Sequence, residues 1–229
     1  MTASSEQRGI KLAAKRRPRR ALRIGGGLLA ALVLLAAATF IARRALMREA
    51  AAVWIVSDPP APADAVAVLG GGLEYRPFAA ADYYRRGLVS KILVSNTGAL
   101  PAERLGVLRS HVRANMEVLE KLGVPGAAVQ PFGSNLKDTY EEAMSLHDWA
   151  KRTGAHTILV PTDIFATRRL RWIMHRVFGN DAVILVPAID PPDYTRNDWW
   201  KTEGGVITFQ NEVVKYVYYR LKYLRIPAQ

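Results

Sequence analysis

The chain has 229 residues, of which 50% are hydrophobic and 23% charged; this composition excludes an intrinsically disordered protein and allows one sizeable domain with an appendage. Its net charge of +12 is local, since the residues up to Arg48 hold eleven Lys or Arg and one acid, which leaves 21 bases and 19 acids for the rest. The nearly neutral remainder argues against a nucleic-acid-binding domain, and the absence of cysteine excludes disulfides, thiolate metal sites and a cysteine nucleophile.

The first predicted element is a transmembrane helix over 24–42. These 19 residues contain no charge and no proline, and as a helix they are about 28 Å long, enough to cross a bilayer core. A cleaved signal peptide is the alternative, but its apolar region is usually shorter, and "RRALMRE" follows where small residues would mark cleavage. Eight bases precede the span and three follow it, so the positive-inside rule predicts a basic cytoplasmic tail, 1–23. We therefore expect a single-pass inner-membrane protein with its C-terminal domain in the periplasm.

The residues after the span predict a linker, 43–62, followed by one α/β domain, 63–229. Short apolar runs alternate with helical patterns that stop at glycines, as in "FAAADYYRRG" and "DTYEEAMSLHDWAKRTG". This alternation predicts a Rossmann-like, mostly parallel sheet with helices on both faces. The predicted strands are 65–69, 91–95, 127–132, 156–162 and 182–188, and the last predicted helix covers about 209–224.

Three loops are predicted to open at the carboxyl edge of this sheet, where such folds bind ligands. The first contains Gly70, Gly71 and Gly72, whose amides suit an anion, followed by Arg76, which suits a phosphate or carboxylate. A tight turn and a solvated arginine are the plain alternative. The run matches neither the dinucleotide fingerprint nor a Walker loop.

The loops after the second and fourth predicted strands add further polar groups. "SNTG" supplies Ser95 and Gly98, and "TDIFATRR" supplies a hydroxyl, a carboxylate and two bases. Bases at the start of a helix oppose its dipole, which a bound anion would relieve; an ordinary basic helix face is the alternative. The residues concerned are Thr162, Asp163, Arg168 and Arg169.

Two acidic positions also have a structural interpretation. The helix that begins in "DTYEEA" is predicted to have an Asp or Thr cap, and Thr139 and Glu142 have the spacing of a capping box there. Glu212 and Lys215 lie one turn apart, as in a surface ion pair. The four histidines are scattered without ligand spacing, so we expect no metal site. No Ser-His-Asp order is evident either.

Taken in order, several segments resemble the YdcF-like (DUF218) superfamily, which includes SanA/ElyC-like envelope proteins. They are "DAVAVLGGG", "KILVSNTG", "LGVP", "DTYEEA", "ILVPTDIFATRRLRW" and a final helix with Glu and Lys, together covering about 64–224. No single motif is specific; their order carries the resemblance. It implies a Rossmann-like domain linked to cell-envelope or peptidoglycan-precursor metabolism, including the undecaprenyl carrier. It implies site roles for Gly70, Gly71, Gly72, Arg76, Ser95, Gly98, Thr139, Glu142, Thr162, Arg168, Arg169 and Glu212.

The chain departs from the family pattern at two places. It has "SNTG" where relatives often have S-G-G, and Ala166 where they often have histidine. If that histidine is a general acid or base, Asp163 is the candidate substitute here.

We therefore expect an enzyme, a hydrolase or a transferase, that acts on a phosphorylated or otherwise anionic envelope precursor, with an undecaprenyl-linked precursor as one candidate; phosphoester and glycosyl chemistry both stay open. The glycine loop and the arginines would hold the anion, and Asp163 or Glu142 would transfer the proton. The alternative is a non-catalytic ligand-binding or regulatory module, which Ala166 favours. A methyltransferase would need S-adenosylmethionine outside the cytoplasm, so we expect no cofactor. Trp199 and Trp200 are predicted to form either a lid over the pocket or a membrane-touching edge.

Overall fold

The computed structural model describes residues 18–223, with side chains from Ile24 onward, and divides into two compact units between Leu46 and Met47. Residues 1–17 of the predicted basic tail, and Leu224 at the end of the last predicted helix, lie outside the described residues. Helix α1 covers Pro18–Trp54. From Ile24 it is long and apolar enough to cross a membrane, as expected of a single-pass membrane protein.

The second unit is an α/β domain in which strands and helices alternate as predicted. Its strands are β1 (Ala65–Val68), β2 (Ile92–Thr97), β3 (Val129–Leu136), β4 (Thr157–Leu159), β5 (Thr162–Asp163), β6 (Val183–Leu185) and β7 (Ala188–Ile189). Its α-helices are α2 (Arg76–Arg85), α3 (Pro101–Arg104), α4 (His111–Lys121), α5 (Thr139–Thr153), α6 (Thr167–Phe178) and α7 (Glu203–Lys222).

The main sheet has five parallel strands in the order β3-β2-β1-β4-β6, which confirms the predicted Rossmann-like class. Val66 of β1 lies opposite Ile92 on one side and Leu159 on the other. The chain builds outward from β1 through β2 to β3 and then returns to the other side of β1, so the strand order reverses between β1 and β4. Strands β5 and β7 form a second, two-stranded parallel sheet. The fourth and fifth predicted strands are thus each divided in two.

Alternating side chains of β1 enter two separate cores. Ala65 and Ala67 pack with residues of α5 and α6, whereas Val66 and Val68 pack with residues of α2 and α4. All four residues are fully buried, because both faces of the strand are covered by helices. This confirms the predicted helices on both faces of the sheet.

The segment predicted as a linker lies largely inside the compact domain. The second unit begins at Met47, and the last turns of α1 pack against the loop between β5 and α6. The indole N–H of Trp54 donates to the carbonyl of Phe165 at 2.8 Å, and the amide of Val56 donates to Thr167 Oγ1 at 3.1 Å. These contacts attach the domain's first residues to the carboxyl edge of the sheet.

Candidate functional site

A cleft of about 630 Å³ lies at the carboxyl edge of the sheet, beside the ends of β1 and β2 and the start of α5. Parallel strands point all their carboxyl ends to this edge, which is where such folds bind ligands. Five of the predicted site residues line the cleft: Gly70, Gly71, Gly98, Thr139 and Glu142.

The glycine run forms both a tight turn and a wall of this cleft. Gly71 and Gly72 have φ angles of +81° and +64°, a conformation that favours glycine. The amide of Gly70 donates to Glu142 Oε1 at 2.6 Å, and a Cβ at Gly70 would lie 2.7 Å from Thr97 Cγ2. Within the described part of the chain, no hydrogen bond reaches Glu142 Oε2, so this oxygen is available to a ligand.

His111 also lines the cleft, and sequence reasoning missed it. Its Nε2 accepts a hydrogen bond from the amide of Gly71 at 3.2 Å and lies 3.0 Å from Asn115 Nδ2. In this arrangement the neutral ring carries its proton on Nδ1. Burial lowers the pKa of His111, and the nearby charge of Arg76 lowers it further. The available signal was the first position of a helix after the N-cap Ser110, which by itself says nothing of Gly71.

Arg76 lies behind the glycine loop and is only 8% exposed. Its guanidinium donates to the carbonyls of Gly70 and Gly71 and, through Nη2, to Thr162 Oγ1 at 3.0 Å. It therefore joins the loop after β1 to the first residue of β5, near the point where the strand order reverses. It makes no salt bridge with any carboxylate in residues 24–223, and its Nε has no hydrogen-bond partner there. A buried charge without a counter-ion favours an anion nearby.

The other two predicted anion-binding arginines are committed to protein partners. Arg168 donates from Nε to the carbonyl of Trp54 at 3.0 Å, at the carboxyl end of α1. Arg169 makes a two-pronged ion pair with Glu212, at 2.6 and 3.0 Å, and donates to Thr139 Oγ1 at 3.0 Å. Neither arginine lines the cleft.

Glu212 forms the predicted pair with Lys215, at 3.0 Å, but its carboxylate is buried, so the prediction of a surface pair was wrong. Burial opposes ionisation of this group, yet the hydrogen bond and charge of Arg169, together with Lys215, outweigh it and lower the pKa of Glu212. The carboxylate is therefore ionised and neutralised within the protein.

Of the two carboxylates predicted to transfer a proton, only Glu142 lies in the cleft. Asp163 is buried, with Oδ1 accepting from the amide of Phe165 at 2.7 Å and Oδ2 accepting from the hydroxyl of Tyr194. Burial raises the pKa of Asp163. Ser95 is 0% exposed and, among the described residues, its Oγ has no partner.

The start of α5 differs by one residue from the predicted capping box. Asp138 is the N-cap, and its carboxylate accepts from the amides of Tyr140 and Glu141 at 2.9 and 3.0 Å. The capping-box interpretation of Thr139 and Glu142 was therefore wrong. Asp138 satisfies the helix end instead, which leaves both side chains for other contacts.

The predicted aromatic lid is not found over the cleft. Trp199 is 4% exposed and packs against Phe165 and Phe209, with ring centroids 5.3 and 4.6 Å apart, and its indole N–H donates to the carbonyl of Met47 at 3.2 Å. Trp200 is half-buried at the edge of the same cluster. Neither tryptophan lines the cleft.

The donor set does not favour a metal centre, because residues 24–223 contain no group of three or more His, Asp or Glu suited to one.

No protein-family model matches the chain, and no curated protein matches it. The resemblance to the YdcF-like superfamily stays a prediction.

Proposed function

We propose that the chain is a membrane-anchored, YdcF-like protein whose periplasmic domain acts on an anionic, phosphorylated cell-envelope precursor bound in the cleft. One observation carries this proposal. Glu142, His111 and the buried Arg76 all contact the same glycine loop, at the edge of the sheet where such folds bind ligands. The basic residues before the apolar span support the orientation.

Two basic side chains at the site suit a phosphate, beside three carboxylates that line the cleft and accept hydrogen bonds from backbone amides: Glu103, Asp138 and Glu142. Arg76 supplies a buried positive charge behind the loop, and Lys137 lines the cleft at the start of α5. These groups take the role first predicted for Arg168 and Arg169, which bind other protein atoms.

The two titratable groups on the loop can accept and return a proton. Glu142 keeps one carboxylate oxygen for a ligand, and the lowered pKa of His111 keeps its imidazole neutral near pH 7. In a phosphoryl transfer to water or to a hydroxyl of a second substrate, Glu142 would take the proton of the attacking hydroxyl as its oxygen bonds to phosphorus. The bond between phosphorus and the leaving oxygen would break, and Glu142 would return the proton to that oxygen. The charge of Arg76 would stabilise the negative charge that develops on the phosphate.

A non-catalytic binding module is the second candidate, and a specific observation favours it. Glu142 Oε1 and His111 Nε2 both accept hydrogen bonds from amides of the glycine loop. Both residues can therefore hold the glycine loop in place without taking part in a reaction. In this case the cleft would bind the same anionic ligand and break no bond.

The test uses the full-length chain in lipid nanodiscs, with undecaprenyl phosphate and undecaprenyl diphosphate as probes. Binding is measured by titration, and turnover by release of inorganic phosphate or transfer of the lipid to an acceptor. The Glu142→Gln variant should bind normally and lose about 10²–10⁴-fold in turnover. Glu120→Gln, on the exposed side of α4, is the matched control and should behave as the wild type.

Binding without turnover by the wild type would select the binding module. Failure of the wild type to bind either lipid or inorganic phosphate would contradict both candidates. Equal turnover by the Glu142→Gln variant and the wild type would remove Glu142 from the chemistry.

A further inference from the structure

The last helix, α7, exposes a stripe of side chains with a regular spacing. Five exposed positions of the helix follow one another at intervals of three, four, three and four residues, and we call them the α7 stripe: Ile207, Gln210, Val214, Val217 and Leu221. Position 224, the next in this series, is also a leucine in the sequence. Alternating intervals of three and four residues form the heptad repeat of helices that pair along their length.

The opposite side of α7 attaches the helix to its own domain. Its buried residues recur every seven positions: Gly205, Glu212 and Tyr219. Tyr219 packs in the core that α5 and α6 also enter. Glu212 is two residues from both Gln210 and Val214, and two residues are about half a turn of helix. The α7 stripe therefore faces away from the domain, which does not use it for its own packing.

The basic side chains of α7 are engaged within the chain. Lys215 and Lys222 pair with carboxylates at 3.0 and 3.3 Å. Arg220 lies over the indole ring of Trp172, 5.4 Å from its centroid. A helix that lies in a membrane interface instead presents its bases to lipid phosphates. The α7 stripe itself carries no charge, so its spacing and its chemistry both favour another uncharged helix as its partner.

The α7 stripe is complementary to itself. Two copies paired in parallel and in register would place each residue of the stripe beside the same residue of the other copy, as a two-fold dimer requires. The carboxamide of Gln210 can donate to and accept from its equivalent, whereas antiparallel pairing would set it against an aliphatic side chain. The four aliphatic residues and the adjacent Tyr218 expose roughly 1,100 Å² in two copies, and specific interfaces need about 1,000 Å².

From these observations we propose that the chain forms a parallel homodimer through α7, with the α7 stripe of one copy packed against that of the other. The two domains would lie on opposite sides of the helix pair, because the buried line of each helix faces away from the contact. This inference is independent of the proposed function, since no residue of the α7 stripe lines the cleft.

The absence of native cysteine makes a direct test simple. Val217→Cys and Val183→Cys variants of the full-length chain, in dodecyl maltoside, are treated with a short bis-maleimide. Val183 is the matched control, since the two valines are 50% and 58% exposed and Val183 lies on β6. Position 217 should cross-link two copies and position 183 should not. A mixture of Ile207→Cys and Leu221→Cys chains should give no cross-link between the two variants, because about 21 Å of helix separates these positions in a parallel pair.

Sedimentation equilibrium in the same detergent measures the association itself. Val214→Asp would place a carboxylate of each copy in the contact, and we expect it to weaken the dimer at least about 100-fold. Val183→Asp should associate as the wild type does. At a dilution where the wild type is monomeric, Val214→Asp should have an unchanged melting temperature, because Val214 is 67% exposed in the single chain.

Several results would overturn this inference. One is a wild type that stays monomeric at every concentration, and another is a dimer that Val214→Asp does not weaken, since a different surface would then join the copies. A cross-link between positions 207 and 221 would contradict parallel pairing. If a nitroxide at position 217 in nanodiscs is more accessible to oxygen than to a water-soluble nickel chelate and does not broaden between copies, the bilayer covers the stripe and the inference fails. Binding of phosphate probes in the cleft is measured separately, so the proposed function stands or falls on its own test.

Discussion

The amide of Gly70 donates a 2.6 Å hydrogen bond to Glu142 Oε1, and this contact joins the loop after β1 to the first turn of α5. The two residues are 72 positions apart in the chain. The carboxyl group of Glu142 is largely withdrawn from water, since the residue is 5% exposed, and it also lines the cleft. The loop geometry and the candidate chemistry therefore depend on the same side chain.

Replacement of Glu142 should separate its structural and chemical roles. In Glu142→Gln the amide oxygen can still accept from Gly70, so we expect little change in the free energy of unfolding. In Glu142→Leu the Gly70 amide loses its partner, at a cost of about 1–3 kcal/mol. Thermal unfolding of the full-length chain measures both, with Glu120→Leu as the control on an exposed position. Equal stability of the two Glu142 variants would contradict the structural role.

A methyl group at Gly70 should distort the cleft. The added Cβ would lie 2.7 Å from Thr97 Cγ2 and 3.2 Å from Glu142 Oε1, which is overpacking worth about 1–3 kcal/mol of stability. The change should also weaken phosphate binding. Gly126→Ala is the matched control, because nothing lies within 4 Å of a Cβ there and its φ is not positive. If both variants match the wild type in melting temperature and phosphate affinity, close packing at Gly70 is not required.

The Arg169–Glu212 pair should make stability depend on pH. Since the folded pKa of Glu212 lies below its ordinary value of 4.5, the pair stabilises the fold fully above that value and loses its contribution as the pH falls through the folded pKa. Urea unfolding between pH 7 and pH 3 measures this dependence. Arg169→Met leaves the buried Glu212 carboxylate with Lys215 as its one remaining basic partner among the described residues, and we expect it to cost about 3–5 kcal/mol at pH 7.

Removal of Glu212 provides the comparison for that pH profile. The Glu212→Gln variant should lose less stability between pH 5 and pH 3 than the wild type, because one titrating group is gone. If stability falls with pH to the same extent in the two proteins, the pKa of Glu212 is not lowered in the folded state.

The lowered pKa of His111 should make the fold less stable at mildly acidic pH than at neutral pH. Burial and the charge of Arg76 lower its folded pKa below the ordinary 6.5, so the unfolded chain binds the proton more readily. Its contribution is complete above pH 6.5 and decreases as the pH falls towards the folded pKa. A ¹³C-histidine NMR titration measures the pKa directly, with His111→Gln to assign the signal. A value at or above 6.5 would contradict the geometry around Gly71.

Trp199 should matter for stability and Trp200 much less. Trp199→Ala empties a fully packed aromatic site and removes the hydrogen bond to the Met47 carbonyl, with an expected loss of about 3–5 kcal/mol. Trp200→Ala, on a half-buried neighbour, should cost clearly less. Thermal unfolding of both variants measures the two losses of stability. Comparable losses would contradict the expected difference between the two tryptophans.

The local patterns of the chain were sufficient to predict the class of fold. Apolar runs such as Ala65–Val68, followed by glycines and helical periods, predicted a parallel sheet with helices on both faces, and that is the fold observed. The uninterrupted apolar run from Ile24 predicted the long apolar helix. Apolar periodicity and the glycines that end strands and helices are local features of a few residues. They can therefore be recognised without knowing which elements pack together.

Only the tertiary structure decided which polar groups meet. Arg169 finds Glu212 across 43 positions, and the amide of Gly71 finds His111 across 40, through crossovers that no local pattern specifies. Asp138 and Thr139 are adjacent and can both accept hydrogen bonds from the first amides of α5. The backbone angles of the folded chain determine that Asp138 is the N-cap. Each buried charge takes the partner that the packed fold places within hydrogen-bond distance, and that placement is a property of the assembled sheet and helices.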